Sequence, residues 1–270
     1  VPAPDVNTNA AVIVWMVDEY EQLTGDTSKA SFTGKSIDKG GSLGRDAATG
    51  RGGVIALAEL LKHEGVLDMP LTIAIQGFGN VGAFFATVAA AEFPNWKVIA
   101  ASDSESAVLS EAGLDVRALA KYKADRGRFK DYALGVKHIS NEGLVGLEAD
   151  ILVLAALGDA VTEDNMKSVR ARHVVELANG PVNDAAHEYL TEQNVTILPD
   201  IIANAGGVIV SYLEWLQNKN GEQWPEAKIN AELKRYLSQA VDDMLKAAET
   251  HKTASLTEAA FILALGRLTK

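Results

Sequence analysis

The chain has 270 residues, with 25 Lys and Arg against 36 Asp and Glu, a formal net charge of −11, and no cysteine. That length can bury one large or two modest cores, and the acidic balance argues against phosphate-backbone binding as a main activity. Without cysteine, disulfides, thiol catalysis and cysteine-ligated metal are excluded. The five histidines lack HxxxH or HxH spacing, so no metal site is expected. The longest early apolar run, AAVIVWMV at 10–17, is too short to span a bilayer, and a cytoplasmic protein is expected.

In chain order, residues 8–23 read as an amphipathic helix with Asn7 or Thr8 as its N-cap. Residues 25–53 hold eight glycines and read as a long loop leading into a helix. Apolar runs follow at LTIAIQ (71–76), KVIAAS (97–102), ADILVLAA (149–156), HVVEL (173–177) and NVTILP (194–199). Segments with helical spacing lie between them, such as 81–93 and 113–125. The basic run from Arg117 to Lys130 reads as a solvated helix face. From Ala205 onward the pattern is helical in three pieces, 205–219, 226–249 and 255–268. Uninterrupted apolar strands alternating with helices predict an α/β, doubly wound, mainly parallel sheet with flanking helices and a helical C-terminal segment. The domain expected is 25–204, with 1–24 and 205–270 as helical segments outside it.

GFGNVG at 77–82 fits G-x-G-x-x-G, follows a predicted strand and opens a predicted helix. Gly77 permits the tight turn, Gly79 lets a pyrophosphate approach the backbone, and Gly82 allows close helix–strand packing. Phe78, Asn80 and Val81 complete this Rossmann-like cofactor turn, whose helix end offers N–H groups to phosphates. An acid about 20 residues on should hold the ribose hydroxyls. Asp103 fills that place, followed by Ser104, although it could instead cap the next turn. Asp103 and Glu105 together would repel a 2′-phosphate while Ser104 and Ser106 could bond one, so NAD or NADP fits, with NAD favoured.

Five segments together resemble the glutamate dehydrogenase family of amino-acid dehydrogenases: PAPDVNT (2–8), GGSLGRDAATGRGG (40–53), IQGFGNVG (75–82), ANGPV (178–182) and IIANAGGVIVSYLEW (201–215). The resemblance implies NAD(P)-dependent oxidative deamination of L-glutamate to 2-oxoglutarate and ammonia. It implies Asp5 as the catalytic proton carrier, held by Pro2 and Pro4, though Asp5 could also be a helix cap. It places Thr49 near the nicotinamide and Asn80 beside ribose and phosphates. Asn179 and Asn204 fall at the carboxyl ends of predicted strands, where ligands bind in such sheets, although Asn179 before Gly-Pro could be a turn former. Val208 and Ser211 match contacts to the substrate's carbon chain and carboxylate, while a serine there could equally be a solvated helix residue.

Departures from the family pattern are Ser36, Glu105, Leu177 and Val182. The resemblance also implies a catalytic lysine in a preceding domain, which Lys29, Lys35 and Lys39 do not match. The chain is therefore expected to begin at the seam between substrate and cofactor domains, to turn over glutamate poorly alone, and to be a homo-hexamer at full length. The alternatives are a stand-alone nucleotide-binding or regulatory module and a dehydrogenase of leucine, phenylalanine or valine.

Overall fold

Alternation within single strands decides which face each residue covers. In β1 (Leu71–Gln76), Ile73 and Ile75 pack into one buried cluster and Ala74 into another on the opposite side. The same split separates Ile151 and Val153 from Leu152 and Leu154 in β5 (Ile151–Leu154), and Val175 from Val174 in β6 (His173–Glu176). A strand apolar on both faces must be covered on both, which is the condition for a parallel sheet between helices. The computed structural model describes residues 1–5, 8–156 and 158–269, and the counts below refer to these.

The sheet has seven strands in the order β4-β3-β2-β1-β5-β6-β7, with β2 at Trp96–Ser102, β3 at Ala107–Leu109, β4 at Lys137–Ile139 and β7 at Thr196–Leu198. β1 pairs in parallel with β2 and β5, and β6 in parallel with β5 and β7. The antiparallel pairings are β3 with β2 and β3 with β4, so β3 alone is reversed, at an edge that the apolar pattern did not foretell because β3 and β4 have three residues each. The chain winds outward from β1 to β4, then returns to β5 on the other side of β1. The switch point therefore lies between β1 and β5, where doubly wound sheets bind their ligands.

The chain divides into two compact units. One comprises Thr49–Ala205 and Leu237–Lys270 and contains the sheet. On one sheet face its core takes Val54, Leu57 and Leu61 from α2 (Ala48–His63) and Phe85 and Ala89 from α3 (Asn80–Glu92). Leu119 of α4 (Val116–Arg126), Val241 and Met244 of α9 (Glu226–His251), and Ala259 and Ala260 of α10 (Leu256–Leu268) complete that layer. The other face is covered by Leu144 and Val145 of α5 (Asn141–Val145) and Ala186 and Leu190 of α6 (Asp184–Glu192). The short α7 (Asp200–Ala203) follows β7.

The second unit comprises Val1–Ala48 and Gly206–Tyr236. It contains α1 (Ala10–Thr24), α8 (Gly206–Asn220) and the start of α9. The cap of α1 is Asn9, whose side chain accepts the Ala11 and Val12 N–H groups at 3.0 and 3.2 Å. The expected cap Thr8 instead donates its N–H and hydroxyl to the Asp5 carbonyl, and Asn7 lies outside the described residues.

The glycine-rich stretch is not a loose loop. Glu214 of α8 accepts the Gly34 N–H at 3.0 Å and the Lys35 ammonium at 2.7 Å, Gln217 donates to Ser42, and Asn218 donates to the Gly40 carbonyl. Buried loop backbone needs such partners. This stitching puts residues 25–48 in the unit of α8, not in the 25–204 domain expected. The apolar side chains of α9 and α10 likewise return 237–270 to the sheet unit. Among the described residues no helix is long and apolar enough to cross a membrane.

Candidate functional site

At the carboxyl end of β1 the three glycines differ in what surrounds them. Gly77 has φ +90°, and a Cβ there would stand 2.7 Å from the Ala156 nitrogen. A Cβ on Gly82 would stand 2.1 Å from the Gly77 carbonyl oxygen, so this glycine lets α3 close against the turn. Gly79 faces open space, with nothing within 4 Å of an added Cβ. It is the N-cap of α3 and has no side-chain bond of its own to offer. The first backbone bond of that helix runs from Ala83 to Gly79 at 3.0 Å, so the N–H groups ahead of it face out of the helix end. A bare backbone, an open approach and a positive helix end form an anion cradle. Phe78 is a correction: its ring is fully buried, 5.5 Å from Phe129, and its N–H donates to the Ser102 carbonyl. It braces the turn and has no donor left for a phosphate. Val81 is half-buried and Asn80 exposed in the first turn of α3.

Asp103 lies at the end of β2, but its carboxylate is already saturated. One oxygen accepts the Glu105 and Ser106 N–H groups at 3.0 and 3.1 Å. The other accepts the Lys123 ammonium at 2.9 Å and the Phe129 N–H at 2.7 Å. Burial opposes its charge, yet the Glu105, Lys123, Phe129 and Ser106 donors together hold its carboxyl below the usual carboxylate range. As placed, Asp103 orders the turn and is not free to take ribose hydroxyls. Ser104 beside it is exposed.

The basic run is likewise more than a solvated face. Lys123 pairs with Asp103, while Arg128 and Lys130 reach Glu105 at 3.2 and 3.0 Å. Two carboxylates at this edge thus meet three cations. Asn141 donates to the Asp103 carbonyl at 3.0 Å and leaves its own Oδ1 buried without a donor, as is the Gln76 Oε1 at the end of β1.

At the ends of β6 and β7, Asn204 donates to Asn179 at 2.8 Å. Behind them Glu176, 5% exposed, accepts the Asp200 N–H at 3.1 Å. Burial, with the Asp200 charge adding, pushes its carboxyl up to about 7 against the Asp200 and Val182 N–H groups that favour ionisation. Thr49 is half-buried in the first turn of α2.

The unit of α8 holds the other candidates. Asp5 is exposed, and its segment is fixed at two points: the Thr33 N–H donates to the Pro2 carbonyl at 2.9 Å, and Gly34 lies against the Pro4 ring. On α8, Ser211 is 8% exposed, so it is not a solvated helix residue, whereas Val208 one turn earlier is 68% exposed. Arg45 has a buried Nε with no partner, and burial lowers the guanidinium's affinity for its proton against the pull of Glu214 and Asp46.

Residues 40–270 match the family model for glutamate/leucine/phenylalanine/valine dehydrogenases. The chain belongs to this family. It is 43% identical over 271 residues to the NADP-specific glutamate dehydrogenase A1 of Halobacterium salinarum, covering 99% of this chain and 64% of that protein. It is 41% identical over 268 residues to the glutamate dehydrogenase of Thermotoga maritima, with coverage of 99% and 64%. Among solved structures, the hetero-hexameric glutamate dehydrogenase of Thermus thermophilus superimposes with a TM-score of 0.90 at 32% identity, covering 98% of this chain and 62% of that one. The glutamate dehydrogenase of Peptoniphilus asaccharolyticus gives 0.85 at 35% identity, with 100% and 63% coverage. The chain thus spans about two thirds of the length of these glutamate/leucine/phenylalanine/valine dehydrogenase relatives, 64% for the two curated ones.

Within this family member, the sheet unit brings together Gly77–Gly82, Asp103 with Ser104, and Asn179 with Asn204 along one sheet edge. Four residues around these places, Gln76, Lys123, Glu176 and Asp200, went unread in the sequence. Of these, only the position of Glu176, closing an apolar strand, is a signal that could have been read.

Proposed function

We propose that this chain is the dinucleotide-binding part of an NAD(P)-dependent glutamate dehydrogenase, which converts L-glutamate to 2-oxoglutarate and ammonia. The observation that carries the reading is the open Gly79 cradle at the β1–β5 switch point, walled by Gly77 and Gly82, which have no room for a side chain. The unpartnered oxygens of Gln76 and Asn141 at the same edge fit a ligand that brings its own donors. The glutamate specificity is supported by the two relatives at 41–43% identity, both named as glutamate enzymes.

When bound, the dinucleotide would supply a hydride acceptor or donor at its nicotinamide ring. Everything else is the work of the chain's own residues. Gly79, Asn80, Val81 and Gly82 would hold the pyrophosphate, and Thr49, Asn179 and Asn204 the nicotinamide half. Ser104 replaces Asp103 as the residue open to the ribose. Lys123, Arg128 and Lys130 balance the Asp103 and Glu105 carboxylates that would otherwise repel a 2′-phosphate, so NADP(H) is proposed to bind at least as tightly as NAD(H). In the unit of α8, Asp5 would carry the proton of the substrate amine, while Ser211 and Val208 would meet the carboxylate and carbon chain. Arg45 adds a cationic donor suited to a carboxylate. A homo-hexamer is the proposed assembly at full length; the hetero-hexamer named for the Thermus thermophilus neighbour supports the six-subunit count, not the identity of the subunits.

A substrate panel run on the protein carrying this chain tests the reading. L-Glutamate oxidised far faster than leucine, phenylalanine or valine supports it, and a preference for a branched or aromatic substrate defeats it.

A further inference from the structure

β6 ends on Glu176, and the segment after β7 enters α7 at Asp200, so two carboxylates sit behind adjacent loops. Glu176 takes the Asp200 N–H at 3.1 Å, and the Val182 N–H also favours its charged form. Asp200 reaches back, accepting the Gly180 N–H at 2.9 Å and the Ile201 N–H at 2.6 Å. The two loops are therefore braced in both directions. On their outer side lie Asn179 and Asn204, joined at 2.8 Å.

A carboxylate at a buried strand end is costly to desolvate, and an apolar residue would serve the core better. What it offers instead is acceptor capacity alone: two oxygens facing backbone N–H groups from two different loops. Glutamine would turn an NH2 toward one of those N–H groups and leave it unpaired. A dinucleotide with its pyrophosphate over β1 spreads one nucleoside toward β2 and the other across β5, β6 and β7. The braced loops lie under that second half.

We propose that Glu176 is a positioning residue for the nicotinamide ring of the dinucleotide, acting through the 178–182 loop and the start of α7 to set Asn179 and Asn204. The proposal rests on the dinucleotide-binding reading above. ADP-ribose, which lacks only the nicotinamide, separates the two. Calorimetric titration of the chain at pH 8 with NADH, NADPH and ADP-ribose is compared with Glu176→Gln and Asp200→Asn. Both variants are expected to weaken NADH and NADPH by about tenfold, the size of one lost hydrogen bond, while ADP-ribose stays within about twofold. Asp200 lies outside the strand, so its variant reports even if Glu176→Gln fails to fold. Equal weakening of all three ligands, or of none, overturns the positioning role. A wild-type chain that binds neither ADP-ribose nor NADH overturns the dinucleotide reading and this proposal with it.

Discussion

Lys35 and Glu214, 179 residues apart in sequence, meet at 2.7 Å with both side chains wholly buried. Glu214 also accepts the backbone N–H groups of Gly34 and Lys35 at 3.0 and 3.3 Å, and Lys35 donates to the Phe32 carbonyl. One carboxylate therefore fixes the glycine-rich stretch to α8. Removing one partner leaves a buried charge alone, at a cost of about 3–5 kcal/mol. Lys35→Met or Glu214→Gln alone is expected to lose about that much in urea unfolding, whereas the double variant recovers part of it because neither member of the pair is left behind. Single variants within about 1 kcal/mol of wild type would show that the pair contributes little.

Two glycines of the cradle should respond in opposite ways. In Gly82→Ala the new methyl meets the Gly77 carbonyl, and overpacking of this kind costs about 1–3 kcal/mol. In Gly79→Ala the methyl enters open space on a backbone at φ −82°, so the thermal midpoint should hardly move. It would, however, stand where the pyrophosphate approaches, lowering dinucleotide affinity by more than about tenfold. Scanning calorimetry and ligand titration on both variants check the pair, and a Gly79→Ala that binds normally would contradict the placement of the phosphates.

Arg128 and Lys130 are exposed, so their pairs with Glu105 add little to stability. Their effect should appear in cofactor choice. Arg128→Gln with Lys130→Gln is expected to weaken NADPH by about tenfold and leave NADH within about twofold, with the difference shrinking at high salt. Glu105→Gln should strengthen NADPH. Parallel changes for both cofactors would mean that these cations lie away from the 2′ position.

Much of this was legible because the strand–helix rhythm and the G-x-G-x-x-G turn are local signals, carried by residues adjacent in the chain. What was not legible depends on distant partners. Asp103 reads as a ribose acid from its place after β2, but the donors that saturate it include Lys123 and Phe129, 20 and 26 residues away. The stretch from Gly25 reads as a loop because its anchors, Glu214, Gln217 and Asn218, lie on the far side of the sequence. β3 and β4 are too short to show a period, and Glu176 lies inside the apolar run HVVEL, while its N–H partner Asp200 lies 24 residues on.

Glu176 also sets a pH dependence. Its carboxyl is raised from the ordinary 4.5 to about 7, chiefly by burial. Between those values the folded protein holds a proton that the unfolded chain has lost, so this contribution to stability is full below 4.5 and disappears as pH rises through 7. Glu176→Gln has no proton to lose. Its stability relative to wild type should climb by up to about 3 kcal/mol from pH 4 to pH 8, other titrating groups cancelling in the difference. Superimposable pH profiles for the two proteins would contradict the raised carboxyl.

The phosphate cradle is tested most directly by calorimetric titration of the folded chain with NADPH, NADH and ADP-ribose, with Gly79→Ala alongside. Saturable binding of all three by the wild type, lost together in the still-folded variant, is the predicted result. A folded wild-type chain that binds none of them, or a Gly79→Ala chain that binds all three unchanged, would contradict it.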